Sequence, residues 1–226
     1  MEAKSRDEII SLIKYNPNEN YILVANYGGG GVSSVEGIKG LKISFSGTGN
    51  IVILYENELG HLGRFRDSEI LLGEQNFVSI MNTKFTIRNL AIISSTAKCC
   101  QILIGRNFSC GDCLLQVGEG SIIKIGNNCM FAGGISIRNS DFHAIYEINT
   151  KELLNPGADI IVEDHVWIAF GVTLLKGVKI SQNSVVGAGS IVTKKFLDSN
   201  VVIAGNPGKI VRTNINWTRT SPADYS

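Results

Sequence analysis

A period of six residues runs through the C-terminal half of the chain and constrains its fold more than any other feature. Every sixth residue from Val162 onward is aliphatic, and the residue four places later in each step is small or β-branched. An α-helix has a period of about 3.6 residues and a simple strand a period of about two, so neither explains this pattern. The aliphatic set is Val162, Ile168, Leu174, Ile180, Val186 and Val192, and the second set is Val166, Val172, Val178, Ser184 and Ser190.

Such a period is typical of short strands joined by tight corners, with one aliphatic side chain pointing inward from each strand. Three strands make a triangular coil of about 18 residues, and stacked coils bury a continuous aliphatic column. Gly171, Gly177, Asn183 and Gly189 stand where corners are expected, and these residue types adopt positive φ at low cost. The sequence therefore predicts an all-β fold, a parallel β-helix.

The period also divides the chain into regions. It is present at Ile125, Phe131 and Ile137, is ragged from 102 to 117, and is uneven before that. We expect a short N-terminal helix, capped by Ser5 or Asp7, and irregular first coils within 1–100. The regular β-helix is predicted over 101–205, and a C-terminal tail, with a short helical terminus, over 206–226.

One excursion interrupts the regular coils between residues 138 and 159, and it contains His143 in "NSDFHAIYE". A long loop extruded from a compact repeat is usually functional or disordered. We therefore interpret 138–159 as a catalytic loop.

Charge and hydropathy argue against two classes of partner. The chain has 21 basic and 20 acidic residues and no basic stripe, which argues against nucleic-acid binding. No apolar run approaches the ~20 residues that cross a bilayer. The N-terminus is charged where a signal peptide would be apolar, which predicts a cytoplasmic protein without membrane insertion.

The cysteines include one CxxC pair, Cys110 and Cys113, among five in the chain. A zinc site would need a second ligand pair at suitable spacing, and none follows. We expect the cysteines to be buried residues of a cytosolic protein, and no metal site.

Four consecutive segments, "HVWIAFG", "LLKGVKI", "VVGAGSIVTK" and "VIAGNPGKIVR", resemble the hexapeptide-repeat acyltransferases, whose fold is a left-handed parallel β-helix. The loop "SDFHAIYE" followed by "HVWIA" resembles the capsular polysaccharide and sialic acid O-acetyltransferases within that family. The resemblance is strong over 125–212. It departs at Ala169 and Gly208, where glycine and alanine are more usual, and both changes exchange one small residue for another.

This resemblance implies an enzyme that moves an acetyl group from acetyl-CoA directly to a saccharide hydroxyl. It also implies a homotrimer with active sites between subunits, no metal and no acyl-enzyme. His143 is the implied general base, a role suited to an imidazole, whose ordinary pKa is about 6.5. Asp141, Glu147, Glu152 or a backbone carbonyl could hold the second ring nitrogen, and the sequence leaves the choice open.

The remaining site residues follow from the same resemblance. Backbone amides near Ala169 or Gly171 are expected to face the oxyanion, with Trp167 and Asp141 beside the substrates. The residues expected to bind CoA are Gly187, Ala188, Lys194, Lys195, Ala204, Gly205, Pro207, Lys209 and Arg212.

Several alternatives stay open. Another acceptor is compatible with the fold, and the nearest rival is an N-acetyltransferase of an amino sugar nucleotide. "YILVANYGGGGVSS" superficially suggests a phosphate loop, although it lacks the GxGxxG order. A non-catalytic scaffold would not need His143 in an extruded loop. His165 is expected to be exposed at a corner, and Trp217 to pack on a coil or to cap the solenoid.

Overall fold

The computed structural model describes residues 2–26, 31–118 and 120–225. Strands of three sheets alternate along the chain, so that from residue 51 to residue 192 each coil contributes one strand to every face of a triangular solenoid. Sheet I contains β1 (Tyr21–Ala25), β2 (Val32–Ser34), β4 (Ile51–Tyr55), β7 (Phe77–Ile80), β10 (Gln101–Ile104), β13 (Ile122–Ile125), β16 (Ile160–Val162) and β19 (Lys179–Ile180).

The other two faces follow in chain order. Sheet II contains β5 (Arg64–Arg66), β8 (Thr86–Arg88), β11 (Ser109–Cys110), β14 (Met130–Phe131), β17 (Trp167–Ile168), β20 (Val185–Val186), β22 (Val202–Ala204) and β23 (Lys209–Arg212). Sheet III contains β3 (Leu41–Phe45), β6 (Ser68–Glu74), β9 (Leu90–Lys98), β12 (Cys113–Gln116), β15 (Ile135–Arg138), β18 (Thr173–Leu175) and β21 (Ile191–Val192).

The six-residue period is the spacing between inward-pointing residues on successive faces of the solenoid, as predicted. Every residue of both periodic sets from Val162 to Val192 is buried, with 1% or less of its surface exposed. Equivalent residues lie in parallel register: Phe131 stacks on Ile168, and Ile168 on Val186. Each such aliphatic side chain contributes about 1.5–3 kcal/mol by its burial.

The corners use positive φ where the sequence places glycine and asparagine. Gly171, Gly177, Asn183 and Gly189 have φ between 59° and 77°. His165 has a φ of 55°, so at this corner a residue that is neither glycine nor asparagine adopts the left-handed backbone conformation.

The N-terminal region forms wider coils that belong to the same three sheets. Helix α1 spans Arg6–Leu12 and begins at Ser5, whose side chain accepts from the Glu8 amide in a capping box. Its Ile9 side chain is fully buried in a cluster with Ile51 and Tyr55. This covering explains why all of β4 is buried although its side chains alternate in direction.

The glycine-rich stretch does not lead into a helix. β1 is followed by β2, which pairs with it antiparallel, rather than by the helix that a phosphate loop would open. Residues 27–30, which contain most of the glycines, lie outside the described part of the chain.

The C-terminal tail returns along the solenoid after β23 and ends near a short 3-10 helix, η1 (Pro222–Asp224). No helix in the described ranges is long and apolar enough to span a bilayer.

Candidate active site

The extruded loop leaves the solenoid at the corner between sheets III and I. β15 ends at Arg138 and β16 begins at Ile160, so residues 139–159 lie outside the coils. The base of the loop is held by Asn139, which is fully buried. Its side chain accepts from the Gly118 amide at 2.7 Å and donates to Ser121 at 2.9 Å.

His143 lines an open cavity of about 290 Å³ between the loop and the preceding coils. The imidazole is exposed. In the described ranges, the cavity is lined by neutral side chains, with Thr96 and Ala97 on one side and Ser140, Phe142 and Leu153 on the other. The arrangement leaves room for an uncharged part of a ligand beside the imidazole.

In the described ranges the His143 imidazole is not hydrogen-bonded to Asp141, Glu147 or Glu152, the three carboxylates considered for orienting it. Asp141 bonds Lys176 at 2.5 Å and Asn155 at 2.8 Å, and these hydrogen bonds hold the pKa of its carboxyl below the ordinary value. Glu147 accepts from the main chain of Asn149 and Thr150 in its own turn. Within residues 2–26, 31–118 and 120–225, the His143 ring forms no hydrogen bond.

The corner between sheets II and III carries the second group of expected site residues. Ala169 and Gly171 lie there, but their amides do not face a ligand. Ala169 donates to the Val186 carbonyl at 2.9 Å and Gly171 to the Gly133 carbonyl at 2.9 Å. The stacking of coils therefore uses both of these amides, and the predicted oxyanion donor near Ala169 or Gly171 would have to be another amide of this corner.

Phe170, between them, is a candidate site residue that the sequence analysis did not name. Its amide donates to no acceptor in the described part of the chain, while its carbonyl accepts from Gly189 at 2.9 Å. Its ring is 67% exposed and lies beside the glycine corner of the preceding coil, where a Cβ on Gly133 would come within 3.4 Å of it. A backbone donor leaves no side-chain signal in a sequence.

Most of the expected CoA residues form a column along the same II/III corner. Gly187 donates to the Ile203 carbonyl at 2.8 Å, and Ile191 to the Gly205 carbonyl at 3.0 Å, which brings the "GAGS" corner against Gly205. Ala188 is exposed beside this contact. The column ends in exposed residues, with Pro207 following a cis peptide bond: Gly205, Pro207 and Lys209, while Ala204 is half-buried. Arg212 is also exposed, but β23 runs antiparallel to β22 and places it beside Val202, at the opposite end of β22.

Lys194 and Lys195 do not join this column. They follow β21 and are exposed at the III/I corner, the same corner that extrudes the loop. The Lys194 ammonium lies 5.4 Å from the Phe196 ring centre. The two lysines and the II/III column therefore lie at different corners of one chain.

The I/II corner is covered by the C-terminal tail. Trp217 stacks on His165, with ring centres 4.4 Å apart, and its Nε1 donates to the His165 carbonyl at 2.8 Å. His165 is thus at a corner, as predicted, but half-buried rather than exposed. Trp167 is also half-buried, and its ring centre lies 6.1 Å from that of Trp217. Trp217 therefore packs on a coil, one of the two roles considered for it.

Further along the same corner, Arg219 donates to Ser109 at 2.8 Å and to the Cys129 carbonyl at 3.0 Å. Its guanidinium lies 3.9 Å from the centre of the Phe85 ring.

Cys110 and Cys113 belong to the core. Both are buried, and burial raises the pKa of Cys110 to about 12 and that of Cys113 well above its ordinary value. The structural interpretation of the CxxC pair is confirmed, while Cys99 differs in being exposed. Over the described ranges, no cluster of three or more His, Cys, Asp or Glu side chains is arranged to hold a metal ion.

Comparisons with known proteins give a consistent relationship, although no protein-family model matches the chain. It is 41% identical over 133 residues to the polysialic acid O-acetyltransferase of Neisseria meningitidis, covering 59% of this chain and 62% of the relative. It is 35% identical over 124 residues to the polysialic acid O-acetyltransferase of Escherichia coli O1:K1, covering 55% of this chain and 40% of the relative. Both alignments span less than two thirds of the relative.

Solved structures extend the similarity over almost the whole chain. The polysialic-acid-specific acetyltransferase NeuO superposes with a TM-score of 0.74 and 30% identity, covering 91% of this chain and 81% of that one. The polysialic acid O-acetyltransferase OatWY superposes with a TM-score of 0.54 and 25% identity, covering 92% and 93%. The chain therefore belongs to the hexapeptide-repeat acetyltransferases of left-handed β-helix fold and resembles the polysialic acid O-acetyltransferases among them.

Proposed function

We propose that the protein is an acetyl-CoA-dependent O-acetyltransferase of a bacterial surface saccharide, with a sialic acid polymer as the first acceptor to test. The observation that carries the proposal is His143, which an extruded loop presents to a cavity in a chain whose relatives are named polysialic acid O-acetyltransferases. Because the co-substrate is acetyl-CoA, the reaction is proposed to take place in the cytoplasm.

The proposed chemistry is direct transfer. The neutral imidazole of His143 takes the proton of the acceptor hydroxyl as its oxygen attacks the thioester carbonyl carbon. The C–S bond then breaks, the CoA sulfur takes the proton from the imidazolium, and the products are the sugar ester and free CoA. His143 ends in its starting state, so no second base is consumed.

The Phe170 amide is the proposed oxyanion donor. A tetrahedral intermediate needs a hydrogen-bond donor that is not already paired, and the amides on either side of Phe170 are paired within the ladder. Removing one such donor typically costs about 10²–10³ in kcat. Because the donor is main chain, substitution of the Phe170 side chain leaves it in place.

We propose a homotrimer as the active form, because one chain separates the two halves of the site. His143 projects from the III/I corner, whereas Phe170 and the glycine column lie at the II/III corner. The loop also exposes large apolar side chains, a surface typical of a contact with another subunit. These side chains, each 37–76% exposed, are Phe142, Ile145, Tyr146, Ile148, Leu153 and Leu154.

In this trimer the II/III corner of one subunit would hold the pantetheine arm of CoA. Gly187 and Ala188 have no side chain or a very small one, so a ligand can lie against the main chain at this corner. Lys209 and Arg212 on that subunit are available to the CoA phosphates. Lys194 and Lys195 would act from the neighbouring subunit, alongside its loop.

The cavity beside His143 is the proposed place for the acceptor hydroxyl. Its described lining contains hydroxyls at Thr96 and Ser140 and an aromatic face at Phe142, which suit a sugar ring. The carboxylate of a sialic acid would have to point out of this cavity, toward solvent or a neighbouring subunit.

The test is acetyl-CoA-dependent acetylation of a panel of acceptors: polysialic acid, free sialic acid, a neutral hexose polymer and an amino sugar nucleotide. Product is measured by mass, with native protein, His143→Ala and, as a matched histidine control, His61→Ala. Acceptor-dependent transfer that falls at least ~10²-fold only in His143→Ala supports the proposal. Transfer only to the amino sugar nucleotide, or full activity of His143→Ala, contradicts it. No transfer and no CoA binding would indicate a scaffold.

A further inference from the structure

Asn155 is the centre of the hydrogen bonds that shape the His143 loop. Its side-chain Nδ2 donates to the His143 carbonyl at 2.9 Å and to the Asp141 carboxylate at 2.8 Å. Its Oδ1 accepts from the Ile145 amide at 2.6 Å. One amide side chain thus bonds the main chain at His143 and again two residues later.

Lys176 connects Asn155 and Asp141 to the solenoid. Its Nζ donates to Asp141 at 2.5 Å and to the Asn155 carbonyl at 3.2 Å. Lys176 follows β18 in the coil after the loop, so its position is set by the core. Asn155, Asp141 and Lys176 together form the loop anchor.

We propose that Asn155 is a positioning residue that sets the main-chain path around His143 and so directs the imidazole toward the reacting groups. This inference rests on the proposed function. The imidazole makes no hydrogen bond of its own in the described part of the chain, and its surroundings in the loop are exposed. Its direction is therefore set chiefly by the backbone that carries it.

The geometry explains why such a residue matters. A general base must lie within about 2.6–3.2 Å of the proton that it removes. A misplacement of about 1 Å can cost roughly 10²-fold in rate. Backbone hydrogen bonds between residues 145–147 and 152–154 hold the outer part of the loop. At His143 itself, the main chain is held by the hydrogen bond from Asn155.

The first comparison is Asn155→Ala against Asn149→Ala. Asn149 is the matched control because it is an asparagine of the same loop whose side chain donates to Glu147 and, among the described residues, to no group at His143. We expect Asn155→Ala to lower kcat about 10- to 100-fold, with KM for acetyl-CoA changed less than about twofold. Asn149→Ala should leave both near native.

A swap variant separates the contact to His143 from the contact to Asp141. In the double variant Asp141→Asn/Asn155→Asp, the amide now at position 141 can donate to the carboxylate now at position 155, so the anchor keeps its net charge and one internal bond. A carboxylate at position 155 has no proton to donate to the His143 carbonyl. We expect the swap to recover thermal stability relative to Asn155→Ala without recovering kcat. Recovery of kcat would contradict the proposal.

Hydrogen exchange of the Ile145 amide gives a readout that does not depend on activity. This amide donates to Asn155, so Asn155→Ala should speed its exchange about tenfold or more, and Asn149→Ala should not. If native protein acetylates nothing while this exchange result holds, the proposed function fails and the anchor stands. Native-like kcat in Asn155→Ala, or unchanged exchange at Ile145, would overturn the positioning role.

Discussion

Lys176 and Asp141 form an ion pair of 2.5 Å that joins a coil corner to the base of the His143 loop. Hydrogen bonds from Lys176 and Asn155 lower the pKa of Asp141 below its ordinary value of 3.8. A carboxyl with a lowered folded-state pKa stabilises the protein above its unfolded-state pKa, and that contribution is lost as pH falls through the lowered value. The anchor therefore remains charged at neutral pH.

The first prediction concerns that pH dependence. The difference in free energy of unfolding between native protein and Asp141→Asn should be constant from about pH 5 to 8 and should shrink only below about pH 4. Urea unfolding at a series of pH values measures it. A difference that changes between pH 5 and 8 would show that Asp141 does not carry the lowered pKa.

The second prediction concerns the C-terminal tail. Trp217 is 8% exposed and contacts His165 by stacking and by a hydrogen bond. Trp217→Ala should lower the free energy of unfolding by about 3 kcal/mol. Tyr225→Ala, at a side chain that is 73% exposed in the same tail, should change it by less than about 0.5 kcal/mol. Equal effects would mean that the tail does not stabilise the coils.

The third prediction separates activity from stability at Phe170. Its ring is 67% exposed, so Phe170→Ala should change the free energy of unfolding by less than about 0.5 kcal/mol. Because the ring borders the proposed acetyl-CoA groove, kcat/KM should fall about tenfold. Leu59→Ala, at a residue that is 76% exposed in the first coils, is the control and should keep native kcat/KM. An unchanged kcat/KM in Phe170→Ala would show that the Phe170 ring does not border the acetyl-CoA groove.

The fourth prediction concerns the thiols. Cys99 is exposed, whereas burial raises the pKa of Cys110 and of Cys129 to about 12. The thiolate is the reactive form, so Cys99 should be alkylated first in native protein. Labelling of Cys110 and Cys129 should stay slow from about pH 7 to 9. Mass spectrometry after timed alkylation measures this, and rapid labelling of Cys110 would contradict its burial.

The core of the fold could be predicted from the sequence because stacking repeats one packing environment. Leu174 and Val192, 18 residues apart, occupy equivalent places in neighbouring coils. Because each coil has three faces, the same physical requirement recurs every sixth residue. The first coils were harder to predict because their strands differ in length, and helix α1 buries the outer side of β4, which removes the alternation of polar and apolar residues.

The candidate site was only partly accessible to sequence analysis. His143 was marked by a break in a regular pattern. Asn155 was not, because its role arises from contacts with residues 10 to 14 positions away in an irregular loop. The pairing of Lys176 with Asp141 depends on the stacking of coils. That the Phe170 amide has no acceptor in the described part of the chain depends on which neighbouring amides pair with other coils.

Acetyl transfer at a site shared by two subunits is tested most directly by mixing two inactive variants. His143→Ala removes the base, and Ala188→Trp fills the exposed II/III corner proposed for CoA. In a randomly mixed cyclic trimer at equal amounts, about a quarter of the sites combine an intact base with an intact groove from its neighbour. Co-refolded protein should therefore recover about a quarter of native activity. No recovery, with mixed trimers confirmed by native mass spectrometry, would contradict a site between subunits.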